Sequence, residues 1–204
     1  MKRALTILTG GLVLAAAVLA AAAVLQLGAG PASAAGPSAG QGPGPSPTAT
    51  CVPSDPSVPL TAADAAGQQY MSQEEKLAHD VYTVSAKQYE LRAFANIARS
   101  ESRHMAAVER LMGIYSVPDP IAGAAPGTFS DPAFAQLYAS LTAQGAQSLA
   151  GALQAGVAIE QRDIADLEAR IAATDRADLK AVYGNLLRAS NNHLRAFQKL
   201  LGGL

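Results

Sequence analysis

The chain has 204 residues, with 15 Lys and Arg against 16 Asp and Glu, a formal charge of −1 at pH 7. A balance this near neutral argues against a nucleic-acid partner, which needs a basic surface. The single Cys excludes an internal disulfide framework and any Cys-rich zinc or iron–sulfur site. All ten aromatics lie between Tyr70 and Phe197, and the first 60 residues hold three charged side chains, Lys2, Arg3 and Asp55, so the folded part starts late.

Residues 1–34 read as a secretory signal. Lys2 and Arg3 precede an uncharged Leu/Ala/Val-rich run of 24 residues from Ala4 to Leu27, followed by Ala32-Ser33-Ala34 with the small-residue cleavage pattern. The run exceeds the usual signal core and is long enough to span a bilayer, so an uncleaved N-terminal anchor is the alternative. Either way the chain is expected to be extracytoplasmic, with membrane contact only through this segment if it is retained. Loss of residues 1–34 leaves 13 basic and 16 acidic side chains, a charge of −3. From Ala35 to Leu60, 15 of 26 residues are Gly, Pro or Ser, too few of them apolar to offset the entropy of ordering. This stretch is expected to be a disordered linker, with Cys51 a solitary thiol inside it.

Residues 61–204 are expected to form one domain, because 144 residues can bury about two-thirds of their unfolded surface. The apolar pattern runs at helical spacing throughout, so the fold class is all-α. A first helix is expected from Ser72, where Ser72-Gln73-Glu74-Glu75 has the form of a capping box, to about Tyr89. A second runs from about Phe94 to Met112 and stops at Gly113. Pro, Gly and Asp between Ile114 and Pro132 give a long connection, and a short helix follows from Pro132 to Leu141. The third long helix spans about Ser148 to Ala173 and the fourth about Arg176 to Leu201. Four long helices with a long middle crossover predict a four-helix bundle.

Alternating four-and-three spacing gives each long helix one inward seam. The first carries Met71, Glu75, Ala78, Tyr82, Ser85 and Tyr89, and the second Ile97, Glu101, His104, Val108, Leu111 and Tyr115. The third carries Leu149, Leu153, Gly156, Glu160, Asp163 and Leu167, and the fourth Leu179, Val182, Leu186, Ala189, His193, Phe197 and Leu200. Every seam has a polar interruption, and together these are Glu75, Glu101, His104, Glu160, Asp163 and His193. Four ionised carboxylates in an apolar interior need a compensating cation. No Lys or Arg shares the seams, so a bound metal is the expected answer, and four carboxylates with two imidazoles suit iron or manganese, one ion or two. Glu101 and His104, like Glu160 and Asp163, are three apart on one helix face and can serve one centre. Glu75 is read as inward rather than Glu74 because its seam continues through Ala78 and Tyr82. Asp163, with its shorter side chain, reaches either the metal or only the groups around it. His79 is read as solvent-facing or as a group around the ligands, Tyr82 as core or as a hydrogen-bond partner of a ligand carboxylate, and Arg103, Arg162 and Arg188 as solvated helix-face charge, with screening of the acidic centre as the alternative.

At these residues the sequence resembles the ferritin-like superfamily and its rubrerythrin-like branch. The stretch from Glu75 to Tyr82 has the form E-x-x-A-x-[ND]-x-Y of that branch's first-helix ligand segment, Glu101 to His104 matches its second-helix E-x-x-H, and Glu160 to Asp163 resembles its third-helix carboxylate pair. EEKLAHDVY, FANIARSESRHM, AIEQRDIADLE and NNHLRAF together look like a family of exported ferritin-like domains of unknown function, over about Ala62 to Leu200. One departure stands out: Ser190 lies where a standard di-iron bundle has a Glu three residues before its last His.

The resemblance implies a ferritin-like bundle with a non-haem iron centre, reacting as an oxidoreductase with oxygen or peroxide. No rubredoxin-like Cys pairs are present, so a redox cycle needs an external reductant. Metal binding or sequestration without turnover, and a helical interaction module that is not an enzyme, are the alternative functions.

Overall fold

The computed structural model describes residues 54–55 and 57–204. The expected signal segment, its cleavage after Ala34, Cys51 and most of the linker lie outside the described residues. The described chain is all-helical with five helices and no strand: α1 (Ala62–Tyr89), α2 (Arg92–Ile114), α3 (Pro132–Gln147), α4 (Leu149–Ala173) and α5 (Ala177–Leu201). No helix among the described residues is long and apolar enough to cross a membrane.

α1 begins ten residues before the expected Ser72. Its cap is Thr61, whose hydroxyl accepts from the Asp64 backbone N–H at 3.0 Å while the Asp64 carboxylate reaches back to the Thr61 N–H. The Ser72 motif lies inside the helix instead, and Ser72 Oγ donates to Asp119 Oδ1 at 2.9 Å. The early start has a packing reason. Every residue from Met71 to Ala78 is buried, so α1 is covered on all sides rather than along one seam.

The connection from Tyr115 to Asp131 provides that cover. Gln69 Nε2 donates to the Pro118 carbonyl at 2.9 Å, and Lys76 Nζ donates to the Ala125 carbonyl at 3.0 Å. Gly127 N donates to Asp80 Oδ2 at 2.9 Å, and Asp131 N donates to Gln73 Oε1 at 2.9 Å. Lys76 and Asp80 also pair with each other, both buried. The polar outer face of α1 thus satisfies backbone groups of a loop whose own turns, such as Ala124 N to the Ile121 carbonyl at 2.9 Å, pair only some of them. Asp131 caps α3 with Pro132 at its first position, and α3 runs to Gln147, longer than the expected end at Leu141. Ser148 then both ends α3 and caps α4.

α1 packs against α2, α3 and α4, and α5 packs against α2 and α4; α3 lies on α1 and α4, so among the described residues no helix lies over the outer side of α2 and α5. Two apolar clusters fill the interior. One gathers Leu77, Val81, Tyr82, Phe94, Ile97, Leu153 and Phe197. The other gathers Met71, Val108, Leu111, Leu167, Leu179, Tyr183 and Leu186. On α5 the buried face holds Tyr183 and Ser190 in place of the expected Val182 and Ala189, a shift of one residue. At the start of the described chain, Arg176 donates to the carbonyls of Asp55 and Val58, and Leu60 packs on the second cluster.

Candidate metal centre

Between the two apolar clusters each of four helices contributes polar side chains at one level. Following α1 inward, Met71 belongs to one cluster, Tyr82 to the other, and Glu75 lies between. α2 repeats the order from Ile97 through Glu101 and His104 to Val108, and α4 from Leu153 through Glu160 and Asp163 to Leu167. On α5, Ser190 and His193 separate Leu186 from Phe197. Glu75, Glu101 and Glu160 are 1, 2 and 2 % exposed, so the carboxylates lie in a dry interior.

Two groups of three converge there, Glu75 with Glu101 and His104, and Glu101 with Glu160 and His193; the ligand atoms of each group lie within 4.8 Å of one another. Glu101 belongs to both. Its Oε2 lies 2.7 Å from His104 Nδ1 and its Oε1 lies 2.9 Å from His193 Nδ1. Glu75 Oε2 lies 3.1 Å from His104 Nδ1, and Glu160 Oε1 lies 3.6 Å from His193 Nδ1. The imidazoles stack with centroids 5.8 Å apart. Tyr82 Oη donates to Glu160 Oε1 at 2.8 Å and fixes that carboxylate from the side of the first cluster.

Asp163, the sixth expected residue, is buried at 4 % exposure but belongs to neither group. It lies beside Ser190 of α5, itself 1 % exposed, whose hydroxyl donates to the Leu186 carbonyl at 3.0 Å. Glu74, read as the outer neighbour of Glu75, is also buried. It turns toward α4, where Arg162 Nε donates to its Oε1 at 3.0 Å. The signal that could have found it is the unbroken polar run Ser72 to Lys76, which on an exposed helix face would be ordinary. His79 is about one-third exposed and pairs with Asp80, as a peripheral group.

Charge in this interior is shared between acids and imidazoles. Burial drives the Glu75 carboxyl well above its usual range, with His104 opposing, and does the same to Asp163, with the negative charge of Glu75 adding to it. Burial lifts Glu160 to about 7. Burial also acts on Glu101, but the two imidazoles beside it, at 2.7 and 2.9 Å, outweigh it and bring its carboxyl down to about 2. Burial disfavours the charged imidazoles, yet Glu101 and Glu75 raise His104 to about 11, and Glu101 and Glu160 raise His193 to about 9.

The donor set fits a cation. Glu75 Oε1, Glu101 Oε1, Asp163 Oδ1 and His193 Nδ1 are buried with no hydrogen-bond partner. Glu101 Oε1 and His193 Nδ1 lie 2.9 Å apart without the alignment of a hydrogen bond. Buried polar atoms are normally satisfied, and the side chains of Glu75, Glu101 and His193, which converge yet leave these atoms unpaired, match the need for a shared partner.

Comparison with known proteins places this geometry in context. A family described as Uncharacterized protein domain (DUF2202) matches residues 64–202. Uncharacterized protein MJ0754 of Methanocaldococcus jannaschii is 44% identical over 150 residues, which are 74% of this chain and 81% of that protein. The crystal structure of hypothetical protein MJ0754 from Methanococcus jannaschii DSM 2661 superposes with a TM-score of 0.71 at 43% identity, covering 74% of this chain and 85% of that one. The structure of a DUF305 fragment from Deinococcus radiodurans covers 72% of this chain and 100% of its own, with a TM-score of 0.56 at 18% identity, a likeness of fold alone.

Proposed function

The chain belongs to the DUF2202 family, and we propose that it is an extracytoplasmic, ferritin-like four-helix protein whose carboxylate–histidine centre binds iron and acts as an oxidoreductase toward oxygen or peroxide. The observation that carries the reading is Glu101, one carboxylate with an oxygen within 2.9 Å of each of two imidazoles from different helices. Glu75 and His104 would hold one metal with it, and Glu160 and His193 the other. The carboxylate absent at Ser190 is matched from α4 by Asp163, which lies against that serine. A bound ferrous ion would supply one-electron chemistry toward oxygen or peroxide.

The chain's own residues do the rest. Each imidazole gives up its proton to expose Nδ1, and the acids give up theirs, so metal binding and proton release are one event. Tyr82 holds Glu160 in place by its hydroxyl. Phe94, Phe197 and Tyr82, with centroids 5.1 to 6.5 Å apart, exclude water on one side. Anaerobic ferrous titration followed by exposure to oxygen or peroxide tests the reading. Bound iron that oxidises in step with oxidant consumption supports it. Tight binding of several divalent metals without oxidation would instead make the protein a metal binder without turnover.

A further inference from the structure

The near-neutral total charge hides a segregation of its signs. Of the 15 cationic side chains, four are on α2 (Arg92, Arg99, Arg103, Arg110) and four on α5 (Lys180, Arg188, Arg195, Lys199). All eight are exposed. The same two helices carry three acids, and two of these, Glu101 and Asp178, are buried, which leaves Glu109 as the one exposed anion. Among the described residues no carboxylate pairs with any of the eight, and residues 1–53 contain no Asp or Glu.

Helix geometry sends these charges outward. Arg99 and Arg103 are each two residues from Glu101, about 200° around the helix, and Arg188 and Arg195 stand likewise to Ser190 and His193. Arg92, Arg99, Arg103 and Arg110 recur at seven, four and seven, a single row of about 27 Å. α2 and α5 pack together, and among the described residues no helix covers their outer side. Arg99, Arg188 and Arg195 each donate to an Asn three residues earlier, Asn96, Asn185 and Asn192, which holds the guanidinium forks in place.

We propose that the α2–α5 face is the docking surface for an acidic protein, one presenting clustered Asp and Glu. Six of the eight cations are Arg, whose planar fork engages a carboxylate through two hydrogen bonds, and Arg is enriched at protein interfaces. The exposed positions of these helices include no aromatic, and Ile114 is their one large apolar residue, so the face lacks what an interfacial membrane helix inserts. The partner would sit over the helices that carry Glu101, His104 and His193. The inference does not depend on a metal being bound there.

The test uses the full chain and labelled polyglutamate, with phosphatidylglycerol vesicles and duplex DNA as competing probes. Polyglutamate is expected to bind, to be released by salt, and to bind roughly tenfold or more weakly to the variant Arg99→Glu/Arg103→Glu/Arg188→Glu/Arg195→Glu, since four exposed ion pairs are inverted together. Lys87→Glu, an exposed charge on α1, should leave binding unchanged. Circular dichroism and ferrous titration of the fourfold variant should match wild type, which separates this proposal from the metal reading. Equal binding by wild type and the fourfold variant, loss of helicity in that variant with polyglutamate binding kept in Arg99→Glu and Arg195→Glu alone, or tighter binding of vesicles or DNA than of polyglutamate would overturn it.

Discussion

Glu101 Oε1 and His193 Nδ1, from α2 and α5, lie 2.9 Å apart in a buried site and yet do not hydrogen-bond. Removing the shared carboxylate should therefore cost more than removing a ligand of one group. Glu101→Gln keeps the shape but supplies one oxygen, so ferrous affinity is expected to fall at both positions, while Glu75→Gln weakens mainly one. Glu109→Gln, exposed on the same helix, should bind as wild type. Isothermal titration of the three variants decides this, and equal losses in all of them would remove Glu101 from its central place.

Metal uptake should release protons and strengthen with pH. His193 raised to about 9 and His104 to about 11 are both protonated at neutral pH in the metal-free protein. Each metal displaces at least one imidazole proton, so apparent affinity should rise about tenfold per pH unit between about pH 6 and about pH 8. Titration in buffers of different ionisation enthalpy reads the proton count. Uptake with no proton release would mean that the imidazoles face away from the ion.

The metal-free protein should lose stability as pH rises. His104, His193, Glu160, Glu75 and Asp163 all have folded values above their ordinary ones, so their stabilisation is full below the unfolded values and is lost as pH climbs through the folded values. Glu101, lowered to about 2, acts in the opposite sense, but its contribution is lost only as pH falls below about 4.5. Thermal midpoints of chelator-treated protein should thus decline from about pH 5 to about pH 9. A flat or rising profile would show that another charge balances the site.

Gly156→Ala tests how the first apolar cluster closes over the centre. A Cβ at 156 would come within 2.9 Å of the Phe197 ring, which packs on Tyr82, the residue that holds Glu160. Overpacking of this kind costs about 1 to 3 kcal/mol. Chemical denaturation should show that loss, together with weaker metal binding at the Glu160 position. Unchanged stability would mean that Phe197 has room to move.

Among the described residues the five helices without a strand, and the inward course of Glu75, Glu101, His104, Glu160 and His193, were legible because each obeys a helical repeat that interrupts an otherwise apolar seam. The start of α1 was not. Ser72 to Glu75 has the composition of a cap, and only the tertiary cover, the loop over Ser72 and Gln73, Arg162 beside Glu74 and His104 beside Glu75, explains why so polar a run is buried. Val182 and Ala189 likewise fitted the α5 seam as well as Tyr183 and Ser190, since neighbouring positions differ by about 100° on a helix and small residues do not say which faces in. Summed charge concealed the basic α2–α5 face, because its sign emerges only once burial removes Glu101 and Asp178 from the surface.

Asp163 and Ser190 make the sharpest test of how many metals the centre holds. If Asp163 stands in for the carboxylate missing from α5, as proposed, Asp163→Ala should weaken binding of the second ferrous ion at least tenfold while the first is little affected. Ser190→Glu alone brings a new carboxylate against Asp163 in a dry interior, where like charges repel, and should destabilise the metal-free protein at neutral pH. Asp163→Ala/Ser190→Glu moves the carboxylate from α4 to α5, three residues before His193 on the same helix face. That double variant is expected to regain the second ion and to be more stable than Ser190→Glu alone. The loss and the regain come from carboxylates on different helices, which a general change in net charge cannot mimic. A double variant no better than Asp163→Ala would show that the space beside Ser190 does not face the metals, and Asp163 would then be only a buried acid beside a serine.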